Sequence, residues 1–398
     1  EPGKIWPSEP TEARAWGQGV LAMTNNGDLK YMRMCLELAA SAAGRTSPNP
    51  MVGAVVLDQD GEVVGQGYHR KAGEPHAEVL ALDEAGDRAQ GGTLYVNLEP
   101  CCHTGRTPPC VQEVVASGVT RVVVGMLDPN PAVSSGGMEA LRAAGIGVEV
   151  GVLEDECRWL NRGFVKRHTE GLPWLCLKLA TTMDGKIADR EGNSRWITGE
   201  EARRRVHELR NVFDCVLIGY ATAVKDDPEL NVRDIPDGRN PVRVVVDPQL
   251  SVSPESRLCK PDTGGKTMLL CSHESLTQRQ SVYPEHVKLV PVDYEPGSHH
   301  IDLRKALKWL ADEDVLTVLC EGGGRLAGRL LEQRLVDEIR WFIAPKIIGD
   351  PSAVPAVATI DPVLLGDTWD VRIRSVERLG QDVLIEGIPY GGPLADSG

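Results

Sequence analysis

TLYVNLEPCCHTGRTPPCVQEVVAS, residues 93–117, decides the fold of the first half of this chain. Thr93 to Leu98 is a β-rich run that reads as a strand, and Val111 to Ser117 reads as a helix. Cys101 and Cys110 therefore fall at a strand end and at a helix start. Upstream, His76-Ala77-Glu78 opens a second helix, Ala77 to Ala85. One imidazole and two thiolates are a normal zinc set that leaves a fourth position to water. Glu78, two residues from His76, is free to move a proton.

Working outward, the alternation of strands and helices predicts a layered α/β domain with parallel crossovers. A helix face runs from Asp28 to Ala43 and ends at SPNP, Ser47 to Pro50. Met51 to His69 reads as a hairpin around Asp60-Gly61. A strand follows at Arg121 to Leu127, then a helix at Gly136 to Ala144 and a strand at Gly147 to Val152. A polar stretch, residues 165–173, reads as the boundary. Beyond it come strands at Trp174 to Leu179, Asp214 to Ile218, Val242 to Asp247, Thr267 to Cys271, Val287 to Val292, Val315 to Glu321 and Glu338 to Ala344. Helices are expected at Gly199 to Asn211, Asp302 to Ala311 and Leu326 to Gln333, and two strands near Val371 and Val383 close the chain. The expected division is an N-terminal arm (1–28), a first domain (29–170), a second domain (171–390) and a tail (391–398).

Composition narrows the function classes. The 398 residues exceed one ordinary core, so two domains are expected. The net charge of -14 argues against non-specific nucleic-acid binding, which needs a basic surface. A few local Arg or Lys residues can still hold a small phosphate. No apolar run is long enough for a membrane span. The first residues carry no apolar signal core and no initiator Met, so a processed or trimmed start is expected. That leaves the cytoplasm, or the plastid stroma if the end is processed. Most of the ten cysteines sit singly in apolar runs, as buried free thiols of a reducing compartment do.

The order H-x-E, then P-C…C, is the nucleobase deaminase signature, here with C-x8-C in place of C-x-x-C. The inserted loop carries His103 and Arg106, suited to a substrate phosphate or ring. Cys102 is a rival ligand; Cys101 is preferred because it directly follows Pro100. The bland alternative is a chance His-x-Glu beside ordinary buried thiols.

SPNPMVGAVV, GYHRKAGEPHAE, LEPCCHTGRTPPC and DPNP resemble the bifunctional pyrimidine deaminase/reductase family of riboflavin biosynthesis. In the second half, LKLATTMDGKIA, SRWITG, ATAVKDDPELNVR and EGGGRLAGRLL resemble that family's reductase domain. The resemblance implies a cytidine-deaminase-like three-layer domain followed by a dihydrofolate-reductase-like α/β domain. It implies one zinc ion per chain on His76, Cys101 and Cys110, with Glu78 as proton carrier. It places Asn49 and His69, with Arg106, in the substrate pocket. In the second domain it implies NADPH at Ala180, Trp196, Thr222, Asp226 and Gly323-Gly324-Arg325-Leu326-Ala327-Gly328-Arg329. Substrate would meet Ser194, Arg210, Leu230, Arg233 and Glu321, and Lys178 would polarise or protonate the sugar carbonyl oxygen. Arg210 and Arg233 make chemical sense as phosphate holders. Gly322-Gly323-Gly324 between a strand and a helix lets backbone N–H groups approach a cofactor phosphate, or simply makes a tight turn.

The implied activity is hydrolytic deamination of a pyrimidine ribosylamine phosphate, then NADPH-dependent reduction of the ribosyl group to ribityl. The partners expected are that small molecule and further copies of the chain, with no nucleic acid and no membrane. One departure is AVSSGG (Ala132 to Gly137) after DPNP, where many members carry a basic residue; Ser135 or Arg106 would contact substrate instead. The rival reading is a deaminase whose second domain is non-catalytic.

Overall fold

The computed structural model describes residues 26–102, 109–130, 135–358 and 368–391. The chain divides into two compact units, one ending at Gly171 and one beginning at Leu172. No helix among the described residues is long and apolar enough to cross a membrane.

The first unit runs α1 (Asn26–Ala40), β1 (Gly53–Leu57), β2 (Val63–Tyr68), α2 (Ala77–Ala85), β3 (Thr93–Leu98), α3 (Cys110–Ala116), β4 (Arg121–Met126), α4 (Gly136–Ala143), β5 (Gly147–Val150), α5 (Glu154–Leu160) and α6 (Arg162–Glu170). Its sheet has the order β2-β1-β3-β4-β5. β1 is antiparallel to β2 and β3, and β3, β4 and β5 are parallel. The runs GAVVL and TLYVNL are buried almost throughout, as strands covered on both faces must be. α1 packs on β1, β3 and α5, whereas α2 packs on β1, β2 and α3, giving three layers. The approach of α2 depends on glycine: a Cβ on Gly65 would stand 2.0 Å from the Ala81 carbonyl, and one on Gly67 2.5 Å from that of Ala77. A buried ion pair ties the layers. Arg121 donates to both oxygens of Asp28 at 2.9 Å, and Tyr95 donates to Asp28 at 2.6 Å.

The division after Gly171 falls inside the polar stretch 165–173. The stretch read as a polar boundary is largely helix: α6 runs to Glu170, burying Gly163 and Phe164. Its Lys and Arg residues mask a short apolar stripe. Helix α5, with its buried Cys157, was unread for the same reason.

The second unit runs β6 (Trp174–Thr182), β7 (Lys186–Ala188), α7 (Glu200–Val212), β8 (Cys215–Gly219), α8 (Tyr220–Asp226), β9 (Val242–Val246), β10 (Thr267–Cys271), α9 (His273–Arg279), β11 (Val287–Pro291), α10 (Leu303–Asp312), β12 (Thr317–Cys320), α11 (Gly324–Glu332), β13 (Glu338–Ala344), β14 (Val354–Pro355), β15 (Trp369–Leu379) and β16 (Asp382–Gly391). A nine-stranded sheet takes the order β11-β10-β9-β8-β12-β6-β13-β16-β15. The seven strands from β11 to β13 are mutually parallel, and β16 and β15 add antiparallel to one edge. From β8 the chain moves to β9 on one side; from β12 it crosses β6 to β13 on the other. The crevice at the carboxyl ends of β8 and β12 is therefore the topological switch point, where open α/β sheets take ligands.

Candidate active sites in the two units

His76 immediately precedes α2, and Glu78 lies in that helix's first turn. Cys101 follows the end of β3, and Cys110 is the first residue of α3. Strand end and helix starts converge, so the His76 Nδ1, Cys101 Sγ and Cys110 Sγ atoms all lie within 4.8 Å of one another. His76 Nδ1 is 2.9 Å from Cys110 Sγ and 3.5 Å from Cys101 Sγ. Tetrahedral zinc with ordinary Zn–N and Zn–S bonds separates its donors by about 3.6 Å, so a small outward shift suits the ion. Cys102 is exposed and stands outside this group. The group that could hold a metal is thus His76, Cys101 and Cys110.

Electrostatics favour a cation. Its hydrogen bond with Cys110 and that with His76 pull the Cys101 thiol down to about 4. The Cys101 contact in turn raises His76. Glu78 is 3% exposed, and burial raises its carboxyl above the ordinary range although Cys110 bonds to it. It stands beside the donors as a carboxylate ready to exchange a proton.

Asn49 and His69 meet at the same place. The Asn49 amide nitrogen lies 3.0 Å from His69 Nε2, and His69 Nδ1 lies 3.2 Å from the Pro75 carbonyl. The amide N–H donates to Nε2, and Nδ1–H donates to Pro75, so His69 is neutral. Burial lowers its pKa in the same sense. Its ring sits edge-on to His76, with centroids 5.4 Å apart. Two buried asparagines that sequence reasoning missed hold this wall: Asn97 accepts from Gly53 N–H and Asn161 accepts from Met51 N–H, and each donates to the Met51 carbonyl. An Asn in an apolar strand is the signal, but its partners lie far away in sequence. His103 and Arg106 lie outside the described residues.

In the second unit, the Gly323 N–H donates to Thr222 Oγ1 at 3.2 Å, bridging the β8–β12 crevice where α8 and α11 begin. Gly322 and Gly324 are needed for packing: a Cβ would lie 2.8 Å from Gly219 N in the first case and 2.4 Å from the Pro355 carbonyl in the second. A Cβ at Gly323 would meet only Thr222. The backbone at Gly323 is thus the stretch open to a phosphate, which suits the pyrophosphate of a dinucleotide. Arg325 is exposed at the start of α11, and Ala180 is half-buried on β6. Trp196 is exposed beneath the Arg203 guanidinium, while Ser194 is half-buried nearby. Asp226 closes α8, its carboxyl pushed up by burial.

Three side chains form a charged cluster at the sheet. Arg210 from α7 donates to both oxygens of Glu321, at 2.6 and 3.0 Å, and Lys178 Nζ from β6 lies 3.8 Å from Glu321. Burial pushes Lys178 below its ordinary range. Burial pushes Glu321 up, but Arg210 and Lys178 bring it net below its ordinary value. His207, absent from the sequence expectations, stands next to this group: its Nδ1 lies 3.2 Å from the Asn231 carbonyl, which also accepts from Arg210.

Several expectations change here. Arg210 has three of its five N–H donors engaged, two by Glu321 and one by the Asn231 carbonyl, which leaves two for a ligand. The exposed Arg233 pairs with Glu229 at 3.2 Å. Leu230 turns its side chain into the core, so only its backbone can meet a ligand. Leu326 and Ala327 belong to the core face of α11, and Gly328 is buried with them. Arg329 is held by Glu295 and the Ile301 carbonyl. Of the side chains on that helix, Arg325 at its start is exposed.

Comparison with known proteins adds the ancestry. Residues 25–126 match the family model described as cytidine and deoxycytidylate deaminase zinc-binding region, and residues 173–385 match that of the RibD C-terminal domain. Riboflavin biosynthesis protein RibD of Aquifex aeolicus is 41% identical over 363 residues, spanning 90% of this chain and 97% of that protein. RibD of Escherichia coli is 39% identical, spanning 90% and 98%. Acinetobacter baumannii RibD superposes with a TM-score of 0.82 at 36% identity, covering 92% of this chain and 99% of the other. A Thermotoga maritima structure, a diaminohydroxyphosphoribosylaminopyrimidine deaminase/5-amino-6-(5-phosphoribosylamino)uracil reductase, does so at 0.81 and 36%, with the same coverage.

Proposed function

From the premise that this chain belongs to the RibD family of riboflavin biosynthesis, we infer which of its residues carry out each step. The enzyme is bifunctional, a zinc-dependent deaminase and an NADPH-dependent reductase. Its substrate is the diaminohydroxyphosphoribosylaminopyrimidine named for the Thermotoga protein, and the deaminated uracil derivative feeds the second step.

His76, Cys101 and Cys110 hold the zinc ion, which when bound supplies the Lewis acidity that makes water a nucleophile near neutral pH. Glu78 would carry two protons in turn, first from the attacking water to the ring nitrogen and then from the resulting hydroxyl to the departing amine, so that ammonia leaves; its raised pKa suits both giving and taking. Asn49 and neutral His69 line the pocket and orient the ring. In the second unit the backbone at Gly323, with Thr222 and Arg325, holds NADPH, which supplies the hydride. Lys178, within reach of Glu321, gives a proton to the sugar oxygen as C1 is reduced. Glu321, itself oriented by Arg210, holds that ammonium in place, and Arg233 draws the substrate phosphate. The exposed edge strand β15, with Val371, Ile373 and Val376, supports a homo-oligomer. Ten free thiols favour a reducing compartment, cytoplasm or plastid stroma.

The observation that carries the assignment is an unligated, buried carboxylate beside one imidazole and two thiols. The test is to assay both half-reactions and quantify zinc on one preparation. Ammonia release together with NADPH oxidation is expected. Ammonia release without NADPH oxidation on the deaminated intermediate would remove the reductase assignment.

A further inference from the structure

The deaminase mechanism above does not use Glu99, yet it is the most heavily bonded buried carboxylate beside the zinc ligands. It is 3% exposed and stands two residues before Cys101. Among the described residues no cation pairs with it. Its charge is met by backbone N–H groups alone. Oε2 accepts from Asp128 at 3.1 Å and Ser135 at 3.0 Å; Oε1 accepts from Gly137 at 3.0 Å and Met138 at 3.4 Å. These donors come from the segment after β4 and from the first turn of α4.

A second observation joins the same two pieces. A Cβ on Gly137 would stand 2.1 Å from the Pro100 carbonyl, and one on Gly136 would stand 2.8 Å from Cys102 Sγ. The start of α4 thus rests on the Pro100 carbonyl and the Cys102 side chain, the residues either side of Cys101. Cys101 in turn accepts from the Cys110 N–H at 3.3 Å, so the turn's position sets the second thiolate as well. Gly136 and Gly137, lacking side chains, make that contact geometrically feasible.

We propose that Glu99 is a positioning residue for the zinc site: it clamps the Asp128 segment and the start of α4 onto the Pro100–Cys102 turn, and so fixes Cys101 and Cys110 for the metal. The inference rests on the zinc assignment made above. A carboxylate suits the role because both oxygens accept. The amide of a glutamine would present N–H to one of the two N–H pairs and release that half of the clamp.

The test uses the full-length zinc-loaded enzyme. Zinc release to a chromogenic chelator is followed for wild type, Glu99→Gln, Glu99→Asp and Gly137→Ala, with metal content and circular dichroism on the same samples. Partners that orient metal ligands are worth about 10–100-fold in affinity or activity. Release from Glu99→Gln should accelerate by about that factor, and deaminase kcat should fall while KM for the pyrimidine stays within about twofold. Glu99→Asp, which keeps both acceptors, should recover part of the loss, and Gly137→Ala should accelerate release by the independent route. Reductase turnover on the deaminated intermediate should be unchanged throughout. Wild-type release rates in folded Glu99→Gln and Gly137→Ala would overturn the proposal. Should Glu99→Gln fail to fold, wild-type release in the other two variants would do the same. Wild-type enzyme without zinc would instead sink the metal assignment, and this proposal with it.

Discussion

Replacing Glu78 by Gln isolates proton transfer from every other role of that position. The side chain is 3% exposed in the first turn of α2, and the amide is nearly isosteric, so the helix and its packing should survive. Zinc should stay, because His76, Cys101 and Cys110 are untouched. Loss of a positioned acid–base costs about 10²–10⁴ in rate. The upper part of that range is expected, because His69, the neighbouring titratable ring, cannot substitute. Its Nε2 is engaged by Asn49 and its Nδ1 by the Pro75 carbonyl. A loss of 10³–10⁴ corresponds to about 4–5.5 kcal/mol on the barrier. The stability sign runs the other way. Burial raises the folded pKa of Glu78 above 4.5, so in chelator-treated enzyme its ionisation costs stability as pH rises through the unfolded value. Metal-free Glu78→Gln should therefore melt no lower than metal-free wild type at pH 8, the difference vanishing below about pH 4.5. Ammonia release, zinc content and reductase turnover on the same sample make the measurement. Deamination within tenfold of wild type, or loss of the metal, would refute the assigned role.

Stripping zinc with a chelator should abolish ammonia release and leave NADPH oxidation on the deaminated intermediate intact; added Zn2+ should restore the first activity. Glu321→Gln leaves Lys178 and Arg210 facing each other unscreened, and breaking a buried ionic group of this kind costs about 3–5 kcal/mol. Thermal denaturation should show that loss, and a melting curve equal to wild type would exclude the cluster as a structural element. Lys178→Met should instead lower reductase kcat with deamination preserved, measured as nicotinamide absorbance loss. Asp28→Asn removes the bidentate partner of Arg121, which is itself 35% exposed, so about 1–2 kcal/mol is expected. The Arg121 hydrogen bond is the main cause of Asp28 titrating below 3.8 when folded. Its stabilisation is complete above the unfolded value and lost as pH falls through the folded one. Wild type and variant should therefore converge in acid melts once the pH has fallen through the lowered folded value of Asp28.

How much was legible depended on whether a residue's partners lie close by in sequence. The zinc donors could be found because each marks a strand end or a helix start. The β-rich runs of both sheets were readable for the same reason, since burial on two faces writes continuous Val and Leu. Helices α5 and α6 were missed because short apolar stripes are masked by Glu, Lys and Arg. The Arg210–Glu321 pair was invisible, spanning residues 111 apart in sequence. Chemistry alone suggests that such an Arg holds phosphate; only the fold shows that Glu321 and the Asn231 carbonyl engage three of its N–H donors. Glu99 stood inside a quoted motif without a role, because its four donors come from a segment some 30–40 residues on.

Both sites obey one geometric rule. In the first unit the chain turns from β3 towards α3 and delivers Cys101 and Cys110; in the second it turns from β12 into α11 and delivers Glu321 and Gly323. Carboxyl ends of parallel strands and amino ends of helices gather unpaired N–H groups at the sheet edge. In the first unit the N–H groups at the start of α4 are taken by the Glu99 carboxylate, and the Cys110 N–H at the start of α3 by Cys101 Sγ. In the second, the Gly323 N–H meets only the Thr222 hydroxyl. A dinucleotide phosphate placed at the start of α11 would have only that contact to displace. Substituting a carboxylate at Gly323 should therefore abolish NADPH binding without affecting zinc, as read by nicotinamide fluorescence titration and metal analysis. Undiminished NADPH affinity in that variant would show that the α11 start is not the phosphate site.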